Sequence, residues 1–480
     1  MKNSSTVVSA RRRLIAGWAR LYLPVFSIAL LLRLFYLVFN WSILPDWNVD
    51  AIGYHQLAIN VIERGVFSLN SQPPYQPDAI RTPGYPIFMG MIYHLVGIAP
   101  RAVLVAQAVL DSFTALLIMG ISLELIGSNR AATIAGMLYA IYPVAWRYCA
   151  ELYVEIVLAF LITLVFFILS RTWKARSTSK AGNVLSLGLA VALSLLVKPN
   201  VALLPIIVGA VLLIKGTLRQ AAVYAITLII LLMPWIARNT LIFGRPMLST
   251  VFENNLARVS APATLAEARG EKVAPWTPRW EELFLEVVDV AANENPALFA
   301  IPLNDLTPPQ LYQTQLELAG AARGIIATQP LVFAISHVKG VLRGLLPQEY
   351  RFWFMRISGQ TWESILPRGM VDQLLTKGWP GVPALALGLF LFFAIPYLFG
   401  FVAALLGAWR LLRSNPVMGL AMIALILYAI VLPGPIAYVR FRIPIMPLVY
   451  VLIAVAVAHI GRATPGHLKY VAILPLGDVI

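Results

Sequence analysis

Long apolar runs, separated by short clusters of Arg and Lys, organise this chain. Ten of them approach the ~20 residues that cross a bilayer as a helix. They cover Leu21–Leu44, Ala102–Leu125, Ala131–Trp146, Ile156–Ser170, Val184–Val197, Val201–Ile214, Ala221–Ile236, Val382–Trp409, Pro416–Leu432 and Ile443–Ile460. Two further apolar stretches read differently. Pro86–Ile98 is short, as expected of a helix lying on the membrane. Pro330–Leu346 carries His337, Lys339 and Arg343. A charge costs about 2.5–3.5 kcal/mol at the centre of a span, so this stretch is expected to be an amphipathic interfacial helix. The pattern predicts an all-α polytopic membrane protein with about ten spans.

The cations set an expected orientation. Arg11, Arg12, Arg13 and Arg20 precede the first run, and no Lys or Arg follows it until Arg64. The positive-inside bias then places the N-terminus in the cytoplasm. The basic stretch Arg171–Lys180 and the C-terminal Arg462 and Lys469 fall on the same side. The outer face receives the loop Trp41–Thr82, the patch Trp146–Glu155, the turn Lys198-Pro199-Asn200 and the segment Pro433–Arg442. It also receives a mostly helical external region that holds Trp276, Trp280, Trp353 and Trp362. Three parts result: an N-terminal membrane core (1–237), an external domain (238–381) and C-terminal spans (382–480).

Composition narrows the class. Hydrophobic residues make up 59% and charged residues 12%, too apolar for a soluble chain of 480 residues. The net charge of +15 belongs to the loops between spans and does not imply nucleic acid. The lone Cys149 allows neither an internal disulfide nor a cysteine metal cluster. The first run is too long for a signal-peptide core and lacks a small-residue cleavage site, so no cleavable signal is expected. Walker A, GxGxxG, CxxC and HExxH patterns are missing, which leaves nucleotide-driven transport and the usual metalloprotease routes without support.

The candidate chemistry lies on the outer face. Its first acidic residues are Asp46 and Asp50 in PDWNVDAIGYHQLA, and a second patch brings Glu151 and Glu155. Facing cations would be Arg81, Lys198, Arg238, Arg440 and Arg442. Charges beside a span are costly unless compensated, which makes them candidates for an anion site. The alternative is that they snorkel or close a helix end. Carboxylates beside cations suit transfer of a sugar from a lipid phosphate: the departing phosphate needs neutralising and the incoming hydroxyl needs a proton acceptor. Asp50 and Asp46 can equally be loop or N-cap residues. His55 with the two aspartates could hold a divalent cation, though a solvated loop histidine is the commoner outcome, so no metal is assigned. Arg33 and Asp111, both within spans, are expected to pair inside the bundle.

Several short motifs resemble those of the polytopic lipid-phosphate-sugar glycosyltransferases of the C-type fold, the branch of protein O-mannosyltransferases and aminoarabinose transferases. In the first loop they are Asp50, Tyr54, Ala58 and Gly65, followed by Val66-Phe67-Ser68. Next come Arg81-Thr82-Pro83-Gly84-Tyr85-Pro86 and Glu155, a dozen residues after Tyr142-Pro143. Then follow Pro234-Trp235, Arg238-Asn239, Phe243-Gly244 and finally Arg440-Phe441-Arg442-Ile443-Pro444. The resemblance implies an inverting transferase at the non-cytoplasmic face of the plasma membrane. Its donor would be a polyprenyl-phosphate sugar and its acceptor a lipid, glycan or protein. Asp50 would be the base, helped by Glu155 and Asp46. Arg81, Tyr54, Lys198, Arg238, Arg440 and Arg442 would bind substrate or lipid phosphate. Several relatives have Asp-Glu in the first loop where this chain has Asp50-Ala51, so the second carboxylate is missing locally unless Asp46 or Glu155 substitutes. Two other functions compete: a transporter or flippase of lipid-linked sugars, which would want an internal repeat that is not seen, and a glycan ligase or polymerase using a diphosphate-linked donor.

Overall fold

The computed structural model describes residues 2–174, 180–360 and 382–458. Trp362, Arg462, Lys469 and residues 175–179 of the basic loop lie outside them. The described chain is helical, and only an isolated bridge between Ser68 and Pro77 interrupts that character.

Helices α1 (Lys2–Phe39), α2 (Val49–Arg64), α3 (Gly84–Val96), α4 (Pro100–Ile126), α5 (Asn129–Ala140), α6 (Pro143–Cys149) and α7 (Glu155–Lys174) come first. They are followed by α8 (Lys180–Val197), α9 (Leu203–Lys215) and α10 (Leu218–Phe243). The external region contributes α11 (Val251–Asn255), α12 (Ala261–Ala268), α13 (Pro278–Glu294), α14 (Pro296–Phe299), α15 (Pro308–Thr328), α16 (Pro330–Leu345) and α17 (Glu349–Ser358). Last come α18 (Ala384–Ser414), α19 (Pro416–Val431), α20 (Val439–Arg442) and α21 (Met446–Val457).

The bundle is built around α4, which packs against α1, α5, α7 and α21. α8 bridges α7 and α10, and α18 lies against α21. Large side chains of α10 and α18, such as Ile229, Ile230, Phe392 and Phe399, point outward. Such apolar surface suits lipid and not water, so the chain is a multi-pass membrane protein. A separate small core joins α13 and α15 through Phe284, Val287, Ala291, Leu318 and Ala322.

Six helical stretches among the described residues are long and apolar enough to cross a membrane, or seven if the pair α15–α16 is one bent span. The sequence pattern suggested about ten. The difference lies in short elements: α8, α9 and α19 are apolar but shorter than the length criterion. The run Ala131–Trp146 is not one helix, because α5 stops at Ala140 and α6 starts afresh at Pro143. Proline lacks the N–H that would continue α5 and instead opens a new first turn. Conversely, α10 contains Pro234 and runs on to Phe243, so the helix outlasts the apolar run that ends at Ile236. α16 turns 101° from α15. Leu331, Ile335, Val338 and Leu342 are exposed along it beside exposed Lys339, the amphipathic character expected of this stretch.

One ion pair is sealed inside the bundle. Arg33 Nε donates to Asp111 Oδ2 at 2.6 Å, and its Nη1 donates to the carbonyls of Ala29 and Ala140. The Tyr139 hydroxyl donates to Asp111 Oδ1 at 2.5 Å. Both charged side chains are fully buried. Together they pin α1, α4 and α5 at one level. Removing one partner strands the other charge: Asp111→Leu is expected to destabilise by about 3–5 kcal/mol. Arg33→Leu with Asp111→Leu should recover most of that, as read from thermal unfolding in detergent.

Candidate active site

The first loop acid is positioned by a helix start. Asn48 is the N-cap of α2, and its side chain accepts from the Ala51 N–H at 3.1 Å. Asp50 is therefore free of capping duty and stands in the first turn, where the helix dipole favours a carboxylate. One turn on, Gly53 leaves room for the Arg81 guanidinium: a Cβ there would lie 3.0 Å from Arg81 Nη2. Arg81 crosses α2 over the Tyr54 ring, 5.5 Å from its centroid, and its Nη2 comes within 3.6 Å of Asp50 Oδ1. Gly84 in the same motif fits because a Cβ would lie 2.7 Å from the Leu196 carbonyl. That close approach brings the Arg81 segment against the Lys198 turn.

The second acid, Glu155, is the first residue of α7 and fully buried. Lys198 Nζ donates to its Oε1 at 2.9 Å. Arg440, at the far end of the chain, joins the two loops. Its Nε donates to Glu155 Oε1 at 2.8 Å and its Nη1 to Asp50 Oδ2 at 2.7 Å. Its guanidinium lies 3.7 Å over the centre of the Tyr153 ring. Phe441 faces Lys198 at 5.3 Å.

Asp78 extends this network. It accepts from the Arg81 N–H at 2.6 Å and lies 3.5 Å from Arg81 Nη1. Arg238, on α10, donates to the Asp78 carbonyl at 3.3 Å and packs over Trp235 at 4.8 Å. It also borders a groove of 660 Å³ whose walls include Val61, Phe67, Ile87, Leu196, Leu231 and Trp235. A second apolar hollow of 420 Å³ shares Val61 and Ile87 and reaches Met91 and Leu95 on α3. Three cations, Arg81, Lys198 and Arg440, thus serve three carboxylates, Asp50, Asp78 and Glu155, and a fourth, Arg238, meets Asp78 through its backbone carbonyl.

Burial works against the Asp50 charge, but Arg440, Arg81 and Lys198 outweigh it and hold the carboxyl below its ordinary range. Asp78 goes the other way: burial lifts it despite Arg81. Burial also pushes Glu151 up to about 7, against the pull of Arg147. Tyr54 is raised by burial and by Asp50, so its hydroxyl stays protonated.

Of the residues singled out in the sequence, Asp50, Glu155, Arg81, Lys198 and Arg440 meet directly, Tyr54 lies beneath Arg81, and Arg238 joins through Asp78. Arg442 does not share their carboxylates. It pairs with Glu349 and donates to the carbonyls of Gly344 and Leu346, each at 2.9 Å, so it braces the α16–α17 elbow. Asp46 is exposed at the rim. The His55 ring pairs with the Tyr93 hydroxyl at 2.8 Å under Trp47, and burial lowers its pKa. Among the described residues no group of three or more His, Cys, Asp or Glu side chains is arranged to hold a metal ion. Asp78 was missed in the sequence as part of a Pro-rich turn; its spacing three residues before Arg81 was the available signal. Glu349, 93 residues from its partner Arg442, left none.

Arg440→Lys tests the bridge, because an ammonium is a point donor and cannot span two carboxylates as a guanidinium fork does. A carboxyl with a depressed folded pKa adds stability above its unfolded pKa and loses it as pH falls through the folded one. Arg440→Lys should therefore unfold at a lower temperature near neutral pH, and its acid-side loss should be smaller and end at a higher pH than in the wild type. Thermal unfolding across the acid range reads both effects.

Residues 80–237, about a third of the chain, match the family model of dolichyl-phosphate-mannose-protein mannosyltransferase. No curated protein matches the sequence. Among solved structures, ArnT from Cupriavidus metallidurans bound to undecaprenyl phosphate aligns at 14% identity. The alignment covers 93% of this chain and 78% of that one, with a TM-score of 0.41. The Archaeoglobus fulgidus oligosaccharyltransferase tethered to an acceptor peptide aligns at 16% identity, over 92% of this chain and 50% of that one, with a TM-score of 0.42. The matched segment holds Arg81, Glu155 and Lys198, and it agrees with the class expected from the motifs. The chain is a membrane glycosyltransferase, similar over residues 80–237 to the dolichyl-phosphate-mannose-protein mannosyltransferases.

Proposed function

We propose that this enzyme transfers a sugar from a polyprenyl phosphate to an acceptor hydroxyl, with inversion, at the non-cytoplasmic face of the plasma membrane. The observation that carries the reading is the meeting of Asp50 and Glu155 on Arg440, with a surplus of cations beside an apolar groove. The groove that starts at Arg238 and runs along α3 suits an isoprenoid tail in shape and polarity. Its polar end suits the phosphate: Arg238 borders it, Arg81 stands beyond at Asp78, and four cations against three carboxylates leave one positive charge uncompensated. The cytoplasmic N-terminus follows from the positive-inside bias and puts this site outside.

The chemistry then divides among the residues. The bond between the anomeric carbon and the phosphate oxygen breaks, and the charge released on phosphate is met by the Arg81 and Arg238 guanidinium groups. The acceptor oxygen attacks from the opposite face. Asp50, half exposed and ionised, accepts the hydrogen bond from that hydroxyl and draws off its proton as bond formation proceeds. Glu155 is sealed between Arg440 and Lys198 and fixes both cations in place. The acceptor can be a lipid, a glycan or a protein.

Asp50→Asn keeps the size and hydrogen-bonding capacity of the side chain but cannot take a proton. It is expected to fold normally and lower transfer by 10²-fold or more, roughly the contribution of a positioned base. Arg238→Ala should raise KM for the lipid donor with a smaller effect on the acceptor. A radiolabelled polyprenyl-phosphate sugar, followed into product in detergent, measures both. Near wild-type turnover in Asp50→Asn removes it from the mechanism, and unchanged donor KM in Arg238→Ala removes the phosphate role.

A further inference from the structure

Arg81 and Arg238 come from separate elements, the loop before α3 and the end of α10, yet one short turn holds both. The turn is residues 78–81, and its peptide groups are tied one after another. The Asp78 N–H donates to the Phe67 carbonyl at 2.9 Å. The Asp78 carbonyl accepts from Arg238 Nη1 at 3.3 Å. The Ala79 carbonyl accepts from the Thr250 N–H at 2.9 Å, and the Ile80 carbonyl from the Ser249 hydroxyl. The Asp78 side chain closes the turn: its Oδ1 accepts from the Arg81 N–H at 2.6 Å. Its Oδ2 faces Arg81 Nη1 at 3.5 Å.

Arg238 is fixed from its other side by the same neighbouring segment. Fully buried Asn239 accepts from Arg238 Nη1 at 2.7 Å through Oδ1 and donates to the Met247 carbonyl at 2.9 Å through Nδ2. Trp235 Nε1 donates to the Leu248 carbonyl at 2.8 Å. The next two residues, Ser249 and Thr250, are those that grip the turn. The rings of Phe67, Trp235 and Phe243 stand 5.6, 4.8 and 5.5 Å from the Arg238 guanidinium. A change in the turn therefore reaches both arginines.

We propose that Asp78 is the positioning residue of the donor-phosphate site: its side chain closes the turn that presents Arg81 and Arg238 together to the lipid phosphate. This rests on the glycosyl-transfer reading given above. Aspartate and asparagine suit such a turn because their side-chain oxygen accepts from backbone N–H groups a few residues on. A guanidinium fork recognises phosphate by its geometry, so a shift of its base costs affinity. Asp78 itself is buried, and the groove wall beside it is Pro77, so it acts through the arginines. The role needs the acceptor oxygen and not the charge, since a carboxylate beside an anion site opposes binding. Burial already favours the neutral form of Asp78, against Arg81, Arg238 and the N–H groups of Ile80 and Arg81.

The test titrates undecaprenyl phosphate, without a sugar, into the full-length protein in detergent and reads the heat of binding. Asp78→Ala should weaken binding about tenfold, the scale of one lost hydrogen bond to a charged group. Asp78→Asn keeps the oxygen and removes the charge, so it should bind at least as tightly as the wild type. The Asp78→Ala loss should shrink in an Arg81→Ala background and again in an Arg238→Ala background, because coupled residues are not additive. In turnover with a labelled donor, Asp78→Ala should raise the donor KM and not the acceptor KM. A merely structural role would add the same loss in every background and move both KM values. That pattern overturns the proposal, as does equal weakening by Asp78→Asn and Asp78→Ala. If Asp78→Ala does not fold, Asp78→Ser replaces it, and wild-type affinity in that variant overturns the proposal. A wild type that binds the lipid, with Asp78→Ala binding equally well, overturns the Asp78 role alone. A folded wild type that binds no undecaprenyl phosphate overturns the functional reading, and the Asp78 role with it.

Discussion

A single guanidinium holds the outer face together. Arg440 donates through separate nitrogens to Asp50 on α2 and to Glu155 on α7, and it sits over the Tyr153 ring. Residues about 390 positions apart in sequence thus share one charge. A buried cation is tolerated only when anions and an aromatic face replace its water, and here both are supplied. The arrangement ties the C-terminal spans to the first loop. It also fixes the ionisation of Asp50, which would otherwise be raised by burial.

The neighbouring cations divide into two kinds. Arg440 and Lys198 are fully engaged with carboxylates, and Arg442 is engaged with Glu349 and the carbonyls of the α16–α17 elbow. Arg81 lies 3.5–3.6 Å from its carboxylates, and Arg238 donates to the Asn239 side chain at 2.7 Å and to the Asp78 carbonyl at 3.3 Å, with no close carboxylate of its own. Guanidinium groups without a close carboxylate, one of them bordering an apolar groove, are those that can turn to an incoming anion. The two arginines of Arg440-Phe441-Arg442 therefore have separate duties although they stand two residues apart, because successive side chains of the short helix α20 leave on different faces.

Much of this was legible in the sequence, for physical reasons that can be named. The apolar runs gave α1, α4, α7, α10 and α18, because lipid solvation demands long uninterrupted hydrophobicity. Arg33 and Asp111 announced their pairing because neither charge is tolerable alone in a span. Asp50, Glu155, Arg81 and Arg440 were visible as charges crowded beside spans. The sequence was less informative where tertiary packing decides. Pro143 divides a run that looked continuous, while Pro234 is accommodated inside α10, and hydropathy does not distinguish the two cases. Arg442 looked equivalent to Arg440 because its partner Glu349 is remote in sequence. Glu151 and Glu155 looked alike as well; burial without a close cation separates one from the other, and burial is not written in local composition.

The most direct measurement is a structure of the enzyme with a polyprenyl phosphate bound. The phosphate should lie between Arg81 and Arg238, with the tail along Leu231, Trp235 and Ile87 and the phosphoester oxygen directed towards Asp50. A phosphate found at the opposite leaflet, or seated away from both arginines, would contradict the account.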